Sequence, residues 1–151
     1  MRKPLSPITL RRGQPDDLSR CEALVLEHFQ EDFDRYSIKW DSDRFASNWE
    51  KGWPIFADCM GKLAGFALLQ PWKEEGTVWL HSVHVAMRYR MRGVGKTLMT
   101  GVEQTAQDQG YHRIALAVFD RSPALYWYQK LGYQISGVPY FQTQMVKELG
   151  N

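Results

Sequence analysis

Several features that define specialised classes of protein are missing from this 151-residue chain. It has two cysteines, Cys21 and Cys59, which lie far apart without metal-ligand spacing, so we expect neither a disulfide framework nor a metal site. It lacks the uninterrupted apolar run of about 18 residues that a membrane-spanning helix requires. Its first residues also lack the apolar core of a signal peptide, so we expect a cytoplasmic protein that is not inserted in a membrane.

An excess of one charge is missing as well. The 19 Lys and Arg residues nearly balance the 17 Asp and Glu residues, and a net charge of +2 does not by itself indicate a nucleic-acid partner. No repeat, low-complexity tract or Pro/Gly-rich linker divides the chain, which predicts a single domain over residues 1–151. Aromatic residues make up 13% of the sequence, enough bulky apolar surface for a core without disulfides or metals.

Apolar periodicity predicts the order strand, helix, helix, three strands, helix, strand, helix, two strands. Helical spacing covers residues 15–29, 42–49, 93–109 and 122–131, and Asp41 or Ser42 can cap the second of these helices. Strand patterns cover residues 8–11, 55–60, 63–70, 77–87 and 113–119, followed by two segments that end near residue 149. This order is typical of an α/β (α+β) fold with a mixed sheet.

The most informative segment is RYRMRGVGKT, residues 88–97, in which a predicted strand gives way to a helix. It is not a Walker A loop, which would need glycine at Arg90, and it is not a dinucleotide fingerprint, which would need glycine at Leu98. What remains is Arg-x-x-Gly-x-Gly at a helix N-terminus, where unpaired N–H groups and the helix dipole favour a phosphate. The alternative interpretation is a tight connection that carries solvated basic residues. We call residues 90–96 the glycine turn.

This segment and a second one further along the chain resemble motifs of the GNAT superfamily of acyl-CoA-dependent N-acetyltransferases. Residues 85–95 (VAMRYRMRGVG) match its apolar strand followed by [Gln/Arg]-x-x-Gly-x-[Gly/Ala], and residues 124–133 (ALYWYQKLGY) match Ala-x-x-x-Tyr-x-Lys-x-Gly-[Phe/Tyr]. The resemblance extends from residue 8 to about residue 149. It implies a mostly antiparallel mixed sheet with splayed parallel strands and about four helices. One position departs from the family pattern, because Arg121 stands where many members have a cofactor-supporting Asn.

The resemblance implies acetyl-CoA as the cofactor. The residues that it assigns to the pyrophosphate lie in the glycine turn: Arg90, Arg92, Gly93, Val94, Gly95 and Lys96. It also implies that the pantetheine arm pairs with the backbone at Val83 and Val85, where this strand splays away from the strand over residues 113–119. Val83 and Val85 can be core residues at the same time.

Two side chains are candidates for catalysis. The resemblance places Tyr128 where the phenol of family members reaches the thioester sulfur and can return a proton to the thiolate, although a core aromatic residue is the alternative. His81 is the candidate base, since an unperturbed imidazole has a pKa of about 6.5. Strand alternation places His81 on one face with Val83 and Val85, and places His84 on the other face unless a bulge intervenes. A core histidine is the alternative for His81.

These features predict an N-acetyltransferase that acts by direct attack of an amine in a ternary complex, because neither cysteine lies on the motifs. The alternative is a non-catalytic acyl-CoA-binding regulatory domain. Nucleic-acid binding by the arginines near residue 90 is a third hypothesis, which the near-neutral charge disfavours. The acceptor is predicted to be a small-molecule or peptide amine, and the family implies homodimers.

An acidic and aromatic segment over residues 27–43 would attract a cationic amine such as a polyamine, although it also fits a solvated loop. Its acidic members are Glu27, Glu31, Asp32, Asp34, Asp41 and Asp43.

Overall fold

A computed structural model describes residues 7–120, 122–139 and 141–150. Its strands are β1 (Thr9–Arg12), β2 (Trp53–Cys59), β3 (Lys62–Pro71), β4 (Thr77–Val85), β5 (Arg113–Phe119), β6 (Gln134–Gly137) and β7 (Gln142–Glu148). Its α-helices are α1 (Leu18–Arg35), α2 (Ser42–Lys51), α3 (Val94–Asp108) and α4 (Ala124–Lys130). The order of strands and helices confirms the α/β prediction.

The strands form one sheet in the order β1-β2-β3-β4-β5-β7-β6. Neighbouring strands are antiparallel except for β4 and β5, which are parallel because α3 crosses over between them. The predicted mostly antiparallel mixed sheet with four helices is therefore confirmed. Of the two closing strands, β6 lies at the edge of the sheet, whereas β7 is paired on both sides. The homodimer that the family implies stays a prediction.

Each face of the sheet carries its own core. The apolar face of α3, with Leu98 and Val102 fully buried, packs with α4 on one side. On the other side, α1 and α2 pack aromatic residues such as Phe45 and Trp49 against Phe56 and Phe66 of the sheet. The sheet is therefore covered on both faces, as its long apolar strands require. Among the described residues, no helix is both long enough and apolar enough to cross a membrane.

Helix α1 is longer than the sequence pattern predicts. Residues 31–35, predicted as part of a polar stretch, continue the helix to Arg35. Arg35 lies 3.7 Å from Glu31 and 3.9 Å from Asp32, so charge pairs one turn apart support these residues. Asp41 caps α2 as predicted, because its carboxylate accepts a hydrogen bond from the backbone N–H of Arg44 at 3.0 Å.

The pairing of β4 with β3 skips one residue. Leu68 of β3 pairs with Ser82, whereas the next residue, Leu69, pairs with Leu80. His81 is therefore the extra residue of a β-bulge. A bulge of this kind reverses the alternation of side chains between the two parts of a strand.

The bulge changes which residues of β4 share a face. Leu80, Val83 and Val85 all contribute to the core beneath α3. His81 lies on the opposite side, where Asn48 of α2 contacts it. The prediction that His81 shares a face with Val83 and Val85 is therefore wrong, because it assumed an unbroken strand.

A buried carboxylate fixes β1 to the start of α1. Asp17 is 3% exposed and accepts hydrogen bonds from Arg11 at 2.8 and 3.0 Å, from Arg20 at 2.8 Å and from the backbone N–H of Gln14 at 2.7 Å. The hydrogen bonds from Arg11 and the other donors outweigh burial and lower the pKa of Asp17 to about 2. Because this pKa is below its unfolded value of about 3.9, the contribution to stability is present above pH ~4 and is lost as the pH falls towards 2.

We expect the Asp17→Asn variant to lose about 2 kcal/mol of unfolding free energy at pH 7, since the amide cannot hold two guanidinium groups. Urea denaturation at a series of pH values measures the difference. The difference should shrink as the pH falls towards 2, where the wild-type carboxyl is itself protonated. A difference that is independent of pH would show that the charge of Asp17 is not what stabilises the fold.

Candidate active site

The sheet opens where β4 and β5 part. The two strands pair only over residues 77–79 of β4 and 113–115 of β5, so their carboxyl-terminal halves diverge. Ligands of open α/β sheets commonly bind at the carboxyl ends of parallel strands, and here the divergence encloses a cavity of about 250 Å³. The cavity is lined by Val25, Phe29, Phe33, Trp40, Leu80, His81, Ser82, Val83, His84, Leu116, Ala117, Val118, Phe119, Ser122, Ala124, Tyr128 and Gln142.

The glycine turn lies beyond the end of β4 and leads directly into α3. The turn depends on left-handed backbone at Met91 (φ 61°) and Gly93 (φ 84°). Among the described residues, none accepts a hydrogen bond from the backbone N–H groups of residues 92–96, and no side chain caps α3. These N–H groups and the positive end of the helix dipole are therefore available to an anion.

The two glycines of the turn have different surroundings. A Cβ built on Gly93 would meet nothing within 4 Å, so this position faces open space. A Cβ on Gly95 would lie 3.1 Å from the ring of Trp127 and 3.5 Å from Val85. Gly95 thus lets the first turn of α3 approach β4 and α4 closely, whereas Gly93 leaves space beside the free N–H groups. The free N–H groups of residues 92–96 and the space beside Gly93 form a cradle, and this cradle fits the diphosphate of coenzyme A.

Basic side chains surround the cradle. Arg92 and Lys96 are exposed, and neither pairs with an acidic residue within the described part of the chain. Arg90 is placed differently: its guanidinium lies 3.0 Å from Nε2 of His28 on α1 and 3.4 Å from the carbonyl oxygen of Val85. The side chain of Arg90 therefore reaches across to α1, and its assignment as a cofactor ligand stays a prediction.

Val83 and Val85 lie along the open edge of β4. One edge of the strand pairs with β3, where Val83 is opposite Ala67 and Val85 is opposite Gly65. Beyond Trp79, the other edge has no partner strand among the described residues. Backbone polar groups on that edge can therefore pair with an extended ligand, as in β-strand addition. Both valine side chains are half-buried against the core, in agreement with their second predicted role.

Tyr128 of α4 enters the cavity from the side of α3. It is 8% exposed and packs edge-on against Trp127 and Tyr133, with ring centroids 4.9 and 5.6 Å away. Its hydroxyl makes no hydrogen bond with any residue that the structure describes. Burial raises the pKa of Tyr128 well above its ordinary value, so the phenol keeps its proton across the physiological range.

His81 enters the cavity from the bulge in β4. The side-chain amide nitrogen of Asn48 lies 2.9 Å from its Nε2, and its Nδ1 is buried without a partner in the described residues. Burial, with a smaller contribution from Arg44, lowers the pKa of His81 below its ordinary value. The ring is therefore neutral at physiological pH and presents one unsatisfied nitrogen, which a bound ligand can satisfy.

His84 also lines the cavity, so the bulge brings both histidines to it. Nδ1 of His84 lies 3.0 Å from Nδ1 of His28, whose Nε2 faces Arg90. Because a guanidinium only donates, a neutral His28 accepts at Nε2 and donates its Nδ1–H to His84. His84 consequently carries its own proton on Nε2.

This arrangement makes His84 a weak base. Burial, followed by the charges of its neighbours, lowers the pKa of His84 to about 3. His28 is also shifted downwards, because burial and the charge of Arg90 both lower its pKa. His81 is therefore the better of the two cavity histidines for accepting a proton from an amine.

Two residues near the site escaped the sequence analysis. Asn48 and His28 reach the histidines of β4 from 33 and 56 positions away in the chain, and no local pattern marks either of them. Cys21 is buried, and burial raises its pKa to about 12, in agreement with a thiol that takes no part in catalysis. Arg121, where the family pattern is broken, lies outside the described residues.

The acidic segment does not form a rim around the cavity. Glu27, Glu31, Asp34, Asp41 and Asp43 are exposed, and none of them lines the cavity. Of the two interpretations of this segment, the described residues favour solvent-exposed charges over carboxylates that line the cavity. The helix explains this result, because α1 extends to Arg35 and turns its aromatic side chains inwards and its charged side chains to solvent.

The fold is that of acetyltransferases of known structure. PaiA N-acetyltransferase from Thermoplasma acidophilum, solved in complex with coenzyme A, superimposes with a TM-score of 0.76 at 17% identity, over 94% of this chain and 99% of its own. Residues 18–133 match the sequence profile of the Acetyltransferase (GNAT) family. The chain belongs to this family.

Two characterised relatives share sequence with the chain. A spermine/spermidine N(1)-acetyltransferase of Bacillus subtilis (strain 168) is 34% identical over 99 residues, which cover 59% of this chain and 65% of the relative. An L-methionine sulfoximine/L-methionine sulfone acetyltransferase of Pseudomonas aeruginosa is 31% identical over 100 residues, covering 62% and 58%. In both cases the similarity spans less than two thirds of the relative.

Proposed function

We propose that this chain is an N-acetyltransferase that takes an acetyl group from acetyl-CoA and transfers it to a primary amine by direct attack in a ternary complex. The observation that carries the proposal is the separation of β4 from β5, which opens a cavity lined by both Tyr128 and His81. Membership of the acetyltransferase family supports the same conclusion.

Two parts of the chain bind the cofactor: the glycine turn and the open edge of β4. The N–H groups of residues 92–96 bind the diphosphate, with Arg92 and Lys96 adding positive charge, and the open edge of β4 beside Val83 and Val85 aligns the pantetheine arm. Acetyl-CoA, when bound, supplies an activated acyl group with a thiolate as its leaving group. Aliphatic and aromatic side chains form much of the wall at the point at which the strands part.

Two side chains can transfer protons in the site, Tyr128 as a donor and His81 as an acceptor. The Tyr128 hydroxyl holds a proton inside the cavity because burial raises its pKa, and it can donate that proton to a developing anion. The amide nitrogen of Asn48 faces Nε2 of His81, an arrangement that leaves the proton of the neutral ring on Nδ1. When the Asn48 amide is turned over, so that its oxygen accepts from Nε2–H, Nδ1 can accept a proton from the incoming ammonium. Asn48 is therefore a positioning residue, because it selects which ring nitrogen of His81 is free.

A thiol-release assay with acetyl-CoA and a panel of primary amines tests the proposed activity. Release that depends on both acetyl-CoA and an amine supports it. The non-catalytic alternative predicts that coenzyme A binds in a calorimeter while no amine stimulates thiol release. The presence of Tyr128 and His81 in one cavity favours the enzyme over this alternative.

We expect the Asn48→Asp variant to move the acidic limb of the kcat/KM profile to higher pH. Burial holds the pKa of His81 below about 6.5 in the wild-type protein, so the limb should lie below that value. A carboxylate beside Nε2 favours the imidazolium form and so raises this pKa. The measurement is kcat/KM between pH 5 and 9.

The matched control is Gln109→Glu, which adds the same charge at an exposed position where α3 ends. It should leave the limb in place. The His81→Gln variant should remove the limb and lower kcat/KM about 10²-fold. If Asn48→Asp leaves the acidic limb unmoved, His81 is not the base.

A further inference from the structure

The part of the cavity on the side of α1 carries no charged wall. Among the lining residues that the structure describes, none is Asp, Glu, Lys or Arg. The polar groups that do line it are neutral: the two histidines, two serines, Tyr128 and Gln142. A ligand group in this space therefore meets no opposite charge.

Nearby carboxylates are engaged elsewhere. Glu22 accepts a hydrogen bond at 2.7 Å from the indole nitrogen of Trp40. Asp34 pairs with Gln30 at 3.1 Å on the exposed face of α1. Asp120 follows the last residue of β5 and lies 3.5 Å from the hydroxyl of Thr143. None of these three carboxylates contributes to the cavity wall.

Aromatic rings form the wall instead. Phe29 and Phe33 of α1 face Phe119 at the end of β5, with ring centroids 5.4 and 6.3 Å away, and Trp40 stacks on Phe33 at 5.7 Å. Outside this layer, Tyr36 stacks on Phe119 at 5.7 Å. Such rings bind flat apolar groups through dispersion and edge-to-face contacts.

We propose, on the basis of the function proposed above, that the acceptor is a monoamine whose substituent is an uncharged aromatic or branched apolar group. The amine is placed at the splay near His81, and the substituent lies in the cavity against the wall that Phe29, Phe33 and Phe119 form together. A polyamine would place a second ammonium, and an amino acid would place a carboxylate, against a wall whose described residues include no charged side chain to pair with it. Burial of an unpaired charge is strongly unfavourable.

The experiment compares four amines in the thiol-release assay with acetyl-CoA: 2-phenylethylamine, methylamine, spermidine and phenylalanine. We expect kcat/KM for 2-phenylethylamine to exceed that for each of the others by about tenfold or more. Calorimetric titration of 2-phenylethylamine into the protein with coenzyme A gives a readout that does not depend on turnover, and should show binding where spermidine shows none. A preference for spermidine or phenylalanine would overturn the inference and leave the proposed activity intact.

The Ala117→Leu variant tests where the substituent lies. Ala117 is a half-buried cavity residue of β5, so a larger side chain takes up space beside Phe119. We expect the KM for 2-phenylethylamine to rise about tenfold more than the KM for methylamine. Ala23→Leu makes the same change on the exposed face of α1 and should leave the KM for both amines unchanged.

Two further outcomes would contradict the inference. If Ala117→Leu impairs the use of hexanoyl-CoA with methylamine but not the use of 2-phenylethylamine, the cavity holds the acyl chain and not the amine substituent. If no amine stimulates thiol release, the proposed activity itself fails, and the acceptor class fails with it.

Discussion

Replacing Tyr128 with phenylalanine should lower kcat about 10²-fold or more while leaving the affinity for coenzyme A nearly unchanged. The variant removes one oxygen from a buried ring that already packs on Trp127 and Tyr133, so the fold has no reason to change. The variant lacks the hydroxyl proton that Tyr128 would donate to the leaving thiolate. Stopped assays of thiol release give kcat, and calorimetry with coenzyme A gives the binding constant.

The pH dependence of the wild-type protein adds a second expectation. Burial raises the pKa of Tyr128 above its ordinary value of about 10, so the phenol stays protonated throughout the range in which the enzyme can be assayed. Loss of activity between pH 8 and 10 should therefore not arise from ionisation of Tyr128. The Tyr128→Phe variant should show the same basic limb as the wild-type protein, at a much lower rate.

Tyr126 provides the matched control. It lies on the same helix two residues earlier and is 69% exposed. Tyr126→Phe should retain the wild-type rate. Full turnover by Tyr128→Phe at every pH would refute the acid role, and equal losses in the two variants would point to a disturbance of α4 instead.

The sequence predicts the sheet and helix order because most strands and helices contain their own signals. Gly110, in a left-handed conformation, follows the last turn of α3, and Asp41 caps the start of α2, so local chemistry marks one end of each helix. The pattern of apolar residues in β5 likewise predicts its observed bounds. The extent of α1 is harder to predict, because residues 31–35 combine a single buried residue, Phe33, with charged neighbours that form pairs one turn apart.

The details of the site are less accessible to sequence because they depend on pairing between strands. A period-2 pattern cannot reveal that Leu69 pairs with Leu80 and leaves His81 outside the register. With the bulge, His81 and His84 both line the cavity. Their partners, Asn48 and His28, lie on helices α2 and α1, far away in the sequence. The motif positions, in contrast, are local, which is why the glycine turn before α3 and the place of Tyr128 on α4 could be predicted from the sequence. Their roles in binding and catalysis stay predictions.

Substitutions at Gly93 in the glycine turn should change cofactor binding strongly. Gly93→Asp should lower the affinity for coenzyme A about a hundredfold, whereas Gly93→Asn should lower it far less. Both side chains tolerate the left-handed conformation at φ 84° better than other residues do, and a Cβ at this position meets nothing within 4 Å. The two variants therefore differ mainly in one negative charge beside the free N–H groups of residues 92–96.

This comparison separates binding from folding. A carboxylate near the N-terminus of α3 interacts favourably with the helix dipole, so Gly93→Asp should melt at no lower temperature than Gly93→Asn. The same carboxylate competes with, and repels, the diphosphate for which those N–H groups are otherwise free. Gly110→Asn makes the equivalent change at the other end of α3, again at positive φ and in open space, and should leave coenzyme A binding unchanged. If Gly93→Asp and Gly93→Asn bind coenzyme A equally well in a calorimeter, the diphosphate does not lie at the glycine turn.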